Sequence, residues 1–179
     1  MHLELMRTKD KELIIEGSPE DYTTARIWHC KYKSLEPLAE LTNLKILVVA
    51  NFPDDNMEFL TSLKSLNYLR ILHMPKIRSV CSLAELNSIR DLSLSTLPGW
   101  DGSGKKTILD SLEPISRISE LRHIGLIGVC PQSKKLTELE QCPKLETGWF
   151  GGFPKGESER FHTKTGVAKK GVPEPDYEI

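Results

Sequence analysis

Residues 80–97, VCSLAELNSIRDLSLSTL, set Val80, Leu83, Leu86, Ile89 and Leu92 three residues apart, then Leu94 after a step of two and Leu97 after a further three. That spacing decides the fold. An amphipathic helix alternates steps of three and four, and a half-buried strand repeats every two residues. A run of threes broken by a single two describes a tight 3-10 or helical segment that leads into a short strand. Both then present their apolar side chains to one core.

The same spacing recurs along the chain. Leu35, Leu38, Leu41, Leu44, Leu47, Val49 and Phe52 form one run, and Leu60, Leu63, Leu66, Leu69, Leu72, Met74 and Ile77 form the next. Downstream come Leu112, Ile115, Ile118, Leu121, Ile124, Leu126 and Val129, followed by a degenerate run of Leu136, Leu139, Cys142, Leu145, Gly148, Phe150 and Phe153. Upstream, Tyr22, Ala25, Ile27, Cys30, Tyr32 and Leu35 fit the template. One rung is too small to bury its own apolar face. About six rungs stacked about 4.8 Å apart would make a parallel sheet over a continuous apolar column.

SLEPLAELTNLKILVVANF (34–52) and SVCSLAELNSIRDLSLSTL (79–97) resemble the leucine-rich repeat family. They are most similar to its short class of about 22 residues, found in internalins and in a regulatory subunit of protein phosphatase 1. The resemblance implies an α/β fold: a right-handed leucine-rich repeat solenoid with a parallel concave sheet of about six rungs and short helical or 3-10 convex segments. Residues 22–153 are expected to form the repeat domain. Residues 1–21 read as an N-terminal capping hairpin, two alternating strands about a Lys9-Asp10-Lys11 turn. Trp149, Phe150 and Phe153 are expected to close the far end of the core. Residues 154–179, with none of the 25 leucines, read as a C-terminal tail, partly ordered at most.

Composition narrows the function. With 24 basic against 25 acidic side chains and a formal net charge of -1, general nucleic-acid binding is not expected. No run approaches the roughly 18 apolar residues of a membrane span, so no membrane association is expected. The opening MHLELMRTKDKELIIEG lacks the apolar stretch of a secretory signal. The four cysteines, Cys30, Cys81, Cys130 and Cys142, form no C-x-x-C pair, and there is no N-x-[ST] acceptor. Reduced thiols and a cytoplasmic location are the expectation.

Between the inward positions, alternate strand residues face the concave side. One expected row reads Thr23, Lys45, Arg70, Arg90, Arg122 and Glu146, with four consecutive cations. A second reads Trp28, Ala50, Pro75, Ser95 and Ile127, and a third Arg26, Val48, His73, Ser93, Gly125 and Trp149. Cations at sheet spacing repel one another, so a partner protein with an acidic surface would relieve a cost that the free chain carries. Trp and Arg are also the residue types that dominate binding hot spots. The candidate partner-binding residues are Trp28, Lys45, Arg70, His73, Arg90, Trp100, Arg122 and Trp149, with the 98–107 loop supplying Trp100, Lys105 and Lys106.

Other chemistry fits poorly. GWDGSGKKT (99–107) nears the phosphate-loop pattern, but Lys106 stands where a magnesium-binding Ser or Thr is required. His29, His73 and His123 come from alternate rungs, too far apart for one zinc, so no metal is expected. Ser93, His73 and Asp91 lack an oxyanion pocket on an open sheet. No cofactor and no catalytic residues are assigned. The expected role is a non-enzymatic protein-protein interaction module, of inhibitor or immunity type. The alternatives are a phosphatase-type regulatory subunit and a nucleotide-binding enzyme.

Overall fold

The computed structural model describes residues 1–97, 99, 102 and 105–177. Among the described residues there are ten strands: β1 (His2–Met6), β2 (Thr24–Trp28), β3 (Ile46–Ala50), β4 (Tyr68–Leu72), β5 (Asp91–Ser95), β6 (Thr107–Leu109), β7 (His123–Ile127), β8 (Val129–Pro131), β9 (Thr147–Gly151) and β10 (Ala168–Lys169). Eight of them, β1-β2-β3-β4-β5-β7-β9-β10, pair in chain order in one sheet, and every pairing is parallel. β6 and β8 form a separate parallel pair. The chain is a leucine-rich repeat solenoid, with the six expected rungs flanked by one extra strand at each end.

The steps of three correspond to hydrogen bonds. The N–H of Leu38 donates to the carbonyl of Leu35 at 2.9 Å, Leu41 to Leu38 at 3.0 Å, and Leu44 to Leu41 at 2.9 Å. The same i to i+3 chain runs through Leu60, Leu63 and Leu66, through Leu83, Leu86 and Ile89, and through Ile115, Ile118 and Leu121. Three residues per turn keeps every member of such a series on one side. The convex segments are accordingly 3-10 turns at Glu36–Glu40, Glu58–Ser62, Cys81–Glu85 and Thr137–Gln141, and a single helical turn, α1, at Glu113–Ser116.

A polar ladder accompanies the leucines. Ser34, Asn56, Ser79 and Ser111 each accept, through a side-chain oxygen, the N–H two residues on. These short turns compete well with regular structure and mark where their convex segments begin. In addition, carboxylates from the following rung accept the N–H of Leu35 (Asp54) and Leu112 (Glu138), and Glu157, beyond the last rung, accepts that of Leu136.

At the concave rim, Arg7, His29, Asn51 and His73 each follow the last residue of a strand with φ between 54° and 68°. Gly128 and Gly152 occupy the same position. This left-handed conformation is open to glycine and is tolerated best, among other residues, by Asn and His. It turns the chain off the sheet while its N–H still bonds the next strand, as Asn51 does to the Leu72 carbonyl at 2.8 Å.

β5 is the exception, because the long insertion leaves from it. Thr96, rather than Leu97, is buried there, and its hydroxyl lies 2.6 Å from that of Thr107, which donates to the Met74 carbonyl at 2.8 Å. The Met74 N–H donates in turn to Thr96 Oγ1 at 3.2 Å. Thr107→Val is expected to cost about 1–3 kcal/mol in chemical denaturation, by leaving buried polar groups unmatched. Thr107→Ser, which keeps the hydroxyl, is expected to cost under about 1 kcal/mol.

Both end regions differ from expectation. Residues 1–21 do not form a hairpin. β1 pairs in parallel with β2, and the return segment, with Leu13 buried and Ile14 exposed, forms no strand. Parallel pairing satisfies the β2 edge, and residues 8–11 bond instead to the next loop, the Lys31 N–H to the Thr8 carbonyl and the Lys33 N–H to that of Lys11. Residues 154–177 are not merely a tail. They form helix α2 (Glu157–Thr165), then β10 on the sheet edge, then an extended segment across the concave face. Buried Phe161 docks α2 on Phe150, ring centroids 5.1 Å apart, and Gly148 leaves the space that the Phe150 ring fills.

Candidate functional site

Inward residues of each strand occupy its second and fourth positions, such as Leu47 and Val49, and the first, third and fifth face the concave side. The strand register therefore sets the surface. The third-position row reads Glu4, Arg26, Val48, Arg70, Ser93, Gly125 and Trp149. The fifth-position row reads Met6, Trp28, Ala50, Leu72, Ser95, Ile127 and Gly151.

Three sequence expectations change on this register. In the β4 rung the step of two lies between Leu69 and Ile71, not between Leu72 and Met74, because Ile71 is fully buried and Leu72 is only half-buried. Arg70 consequently leaves the row of cations and takes the place assigned to His73. Lys45, Arg90 and Arg122 keep their row, but Asn67 sits between Lys45 and Arg90, as its hydrogen bonds to both flanking turns show. The run of four consecutive cations is thus broken. Arg122 is also paired with Glu146 at 2.8 Å. Finally, His73 is buried in the left-handed turn position and is no concave contact. His29 shares that turn row, whereas His123 stands on the sheet with Nδ1 2.9 Å from Thr147 Oγ1.

What the sheet does bring together is a cationic and aromatic centre toward its N-terminal half. The Arg26 guanidinium stacks 4.5 Å from the Trp28 ring centroid and lies 3.5 Å from Glu4. Arg70, two strands away in the same row, is half-buried. Ile46, Val48 and Tyr68 are buried on this same side of the sheet, with Trp28 and Leu72 packed against them. Trp149 marks the far end, 44% exposed, with Lys169 Nζ 5.9 Å from its ring centroid. Asp91, on β5, is the acidic member, and burial pushes its carboxyl above the ordinary range against the opposing charges of His123 and Arg90.

Sequence reasoning missed that this surface is already occupied by residues 171–177. Val172 sits 3.4 Å from where a Cβ on Gly125 would lie, next to Ser93. The Tyr68 hydroxyl donates to the Pro173 carbonyl at 3.0 Å, and burial pushes that hydroxyl up to about 12, so it remains a protonated donor. Arg70 Nη1 bonds Glu174 Oε2 at 2.8 Å. Pro175 helps to line a cleft of about 350 Å³ with Arg26, Trp28, Val48 and Arg70. Tyr177 meets His2 edge to face, ring centroids 4.9 Å apart. The segment thus runs from the β10 edge to β1.

In the 98–107 loop, Pro98, Trp100, Asp101, Ser103 and Gly104 lie outside the described residues, so Trp100 has no assigned place. Lys105 and Lys106 are exposed and lead into strand β6, where a phosphate-binding loop would lead into a helix. Among the described residues, no group of three or more His, Cys, Asp or Glu is placed to hold a metal ion. None of their helices is long and apolar enough to cross a membrane. Cys30, Cys81, Cys130 and Cys142 are all free thiols, and burial raises those of Cys130 and Cys142 above the usual range.

No protein-family model matches the sequence, and no curated protein is similar to it in sequence. Solved structures do share the fold. Internalin C2 from Listeria monocytogenes superposes with a TM-score of 0.61 at 20% identity, over 81% of this chain and 59% of the internalin. The internalin InlF of the same species gives 0.53 at 19% identity, over 81% of this chain and 40% of its own. The chain therefore spans about three fifths of the first and two fifths of the second. At that identity the likeness establishes the internalin-type leucine-rich repeat architecture.

Proposed function

We propose that the chain is a non-enzymatic protein-binding module whose concave face receives a partner protein with an acidic surface, acting as an inhibitor or immunity-type protein by occluding what it binds. One observation carries this reading. Arg26 stacked on Trp28, together with Arg70, is set over a buried apolar floor of Ile46, Val48 and Tyr68 on a curved sheet. Desolvated Trp and Arg on such a floor are what binding hot spots are made of. Four free thiols fit action in a reducing compartment such as the cytoplasm.

The test is capture from lysate of the source cells on immobilised full-length chain, with the captured protein identified and its affinity measured. Trp28→Ala combined with Arg70→Ala is expected to weaken that affinity at least about 30-fold, the equivalent of about 2 kcal/mol. The circular dichroism of the solenoid should not change. Undiminished affinity would remove the concave face from the binding site.

A further inference from the structure

The segment on the concave face has the chemistry that the face itself asks for. Gly171-Val-Pro-Glu-Pro-Asp-Tyr177 sets an apolar side chain at 172, an acid two residues on at 174 and an aromatic ring three further on at 177, with Pro173 and Pro175 flanking the acid. Each proline fixes its own φ and holds the preceding residue extended, so Val172 and Glu174 are both biased to extended backbone before they dock. A segment stiffened in this way loses little entropy on ordering. Each of the three side chains meets a matched feature. Val172 fills the space left by the small residues Ser93 and Gly125, Glu174 pairs with Arg70, and Tyr177 packs with His2 against the apolar patch at the β1–β3 end.

The hold is nonetheless shallow. Glu174 is 80% exposed on its side-chain surface, so its ion pair with Arg70 is screened by solvent. Beyond Lys170, the Pro173 carbonyl accepts a hydrogen bond from a side chain, the Tyr68 hydroxyl, and not from a strand of the sheet. Such a contact is well placed but readily exchanged.

We propose that the concave face binds an extended, proline-bearing acidic segment of a partner protein, with the spacing apolar-Pro-acid-Pro-x-aromatic, and that residues 171–177 hold this groove in the free chain until the partner segment displaces them. This inference rests on the concave face being the binding surface and adds to it the form of the ligand and a competing internal occupant. A competing occupant lowers the apparent affinity by the fraction of time that the groove is open.

The experiment uses a fluorescein-labelled peptide of residues 170–177, KGVPEPDY, and the full chain, wild type or carrying Val172→Asp, Glu174→Lys and Tyr177→Asp together. All three changes lie outside the repeats, and unchanged thermal melting confirms an intact solenoid. By fluorescence anisotropy the substituted chain is expected to bind the peptide at least tenfold more tightly than wild type. Adding Arg70→Glu to that chain should abolish the gain, and a peptide carrying Glu174→Lys should restore it. Equal affinity for both chains, binding to neither, or failure of the charge exchange would overturn the proposal. A wild-type dimer in sedimentation that becomes monomeric in the substituted chain would also overturn it, since the occupant would then be a second copy's segment. Failure of the peptide to bind while partner capture still depends on Trp28 and Arg70 would reject the segment and leave the concave-face reading intact.

Discussion

Replacing Ile71 with alanine is expected to lower the unfolding free energy by about 2–5 kcal/mol, while Leu72→Ala, one residue on, lowers it by less than about 1 kcal/mol. Ile71 is fully buried between Val49 of β3 and Leu94 of β5, and truncating it opens a cavity in the middle of the apolar column. Stacked neighbours cannot collapse into that space without shifting strands that are paired on both sides. Leu72 faces the concave side, against the tail and the aromatic floor, and its loss removes only part of a surface contact. A solenoid transmits stability from rung to rung, so damage at β4 is also expected to split the unfolding transition into N-terminal and C-terminal phases. Urea unfolding followed by circular dichroism separates the two variants, and versions that keep Trp28 or Trp149 as the single tryptophan report the two halves by fluorescence. A larger loss from Leu72→Ala would mean that the rung is set the other way round.

That pair of residues also shows how far the repeat can be read from sequence alone. Runs of threes that end in one step of two are unambiguous where the next residue at a step of three is polar or small. In the β3 rung Ala50 follows Leu47, and Val49 is correctly assigned inward. In the β4 rung Leu72 follows Leu69 at three and Ile71 follows it at two, and hydrophobicity does not choose between them. The choice was available elsewhere, in the polar ladder. Asn56 and Ser79 stand at the same point of their rungs as Ser34, and counting from them pairs Leu69 and Ile71 with Leu47 and Val49. The displaced cation row follows from this single slip, since a rung set three residues late puts Arg70 where Asn67 belongs, His73 where Arg70 belongs and Pro75 where Leu72 belongs. The occupant of the groove was not legible for a different reason. Its contacts join residues more than a hundred positions apart, Tyr68 with Pro173 and Arg70 with Glu174, and no local pattern specifies such a pairing.

Helix α2 was legible in part, from Glu157 and Glu159 in its first turn, Lys164 in its last, and glycines at 156 and 166 on either side. What those signals do not convey is how strongly the helix is docked, and this is the basis for the second large effect. Phe161→Ala is expected to cost about 3–5 kcal/mol at the C-terminal end of the solenoid. Phe161 is fully buried against Phe150, whose ring covers Gly148 in the last full rung. Around it, Glu157 accepts the Leu136 N–H at 2.7 Å and pairs with Arg160, while Glu140 receives both Arg160 and Lys164. Those cations hold the Glu140 and Glu157 carboxyls below their ordinary range, so the polar clamp is intact at neutral pH. This clamp, with its carboxylates largely covered and its cations partly exposed, positions the helix over the aromatic contact beneath it. Loss of Phe161 should therefore free α2 and β10 together, seen as an early helical melting phase well below the main transition. Because the groove-filling segment is tethered through β10, Phe161→Ala should also raise affinity for the 170–177 peptide, although no residue of the concave face has changed. A variant that melts early but binds the peptide no better than wild type would show that the segment holds the groove without its anchor.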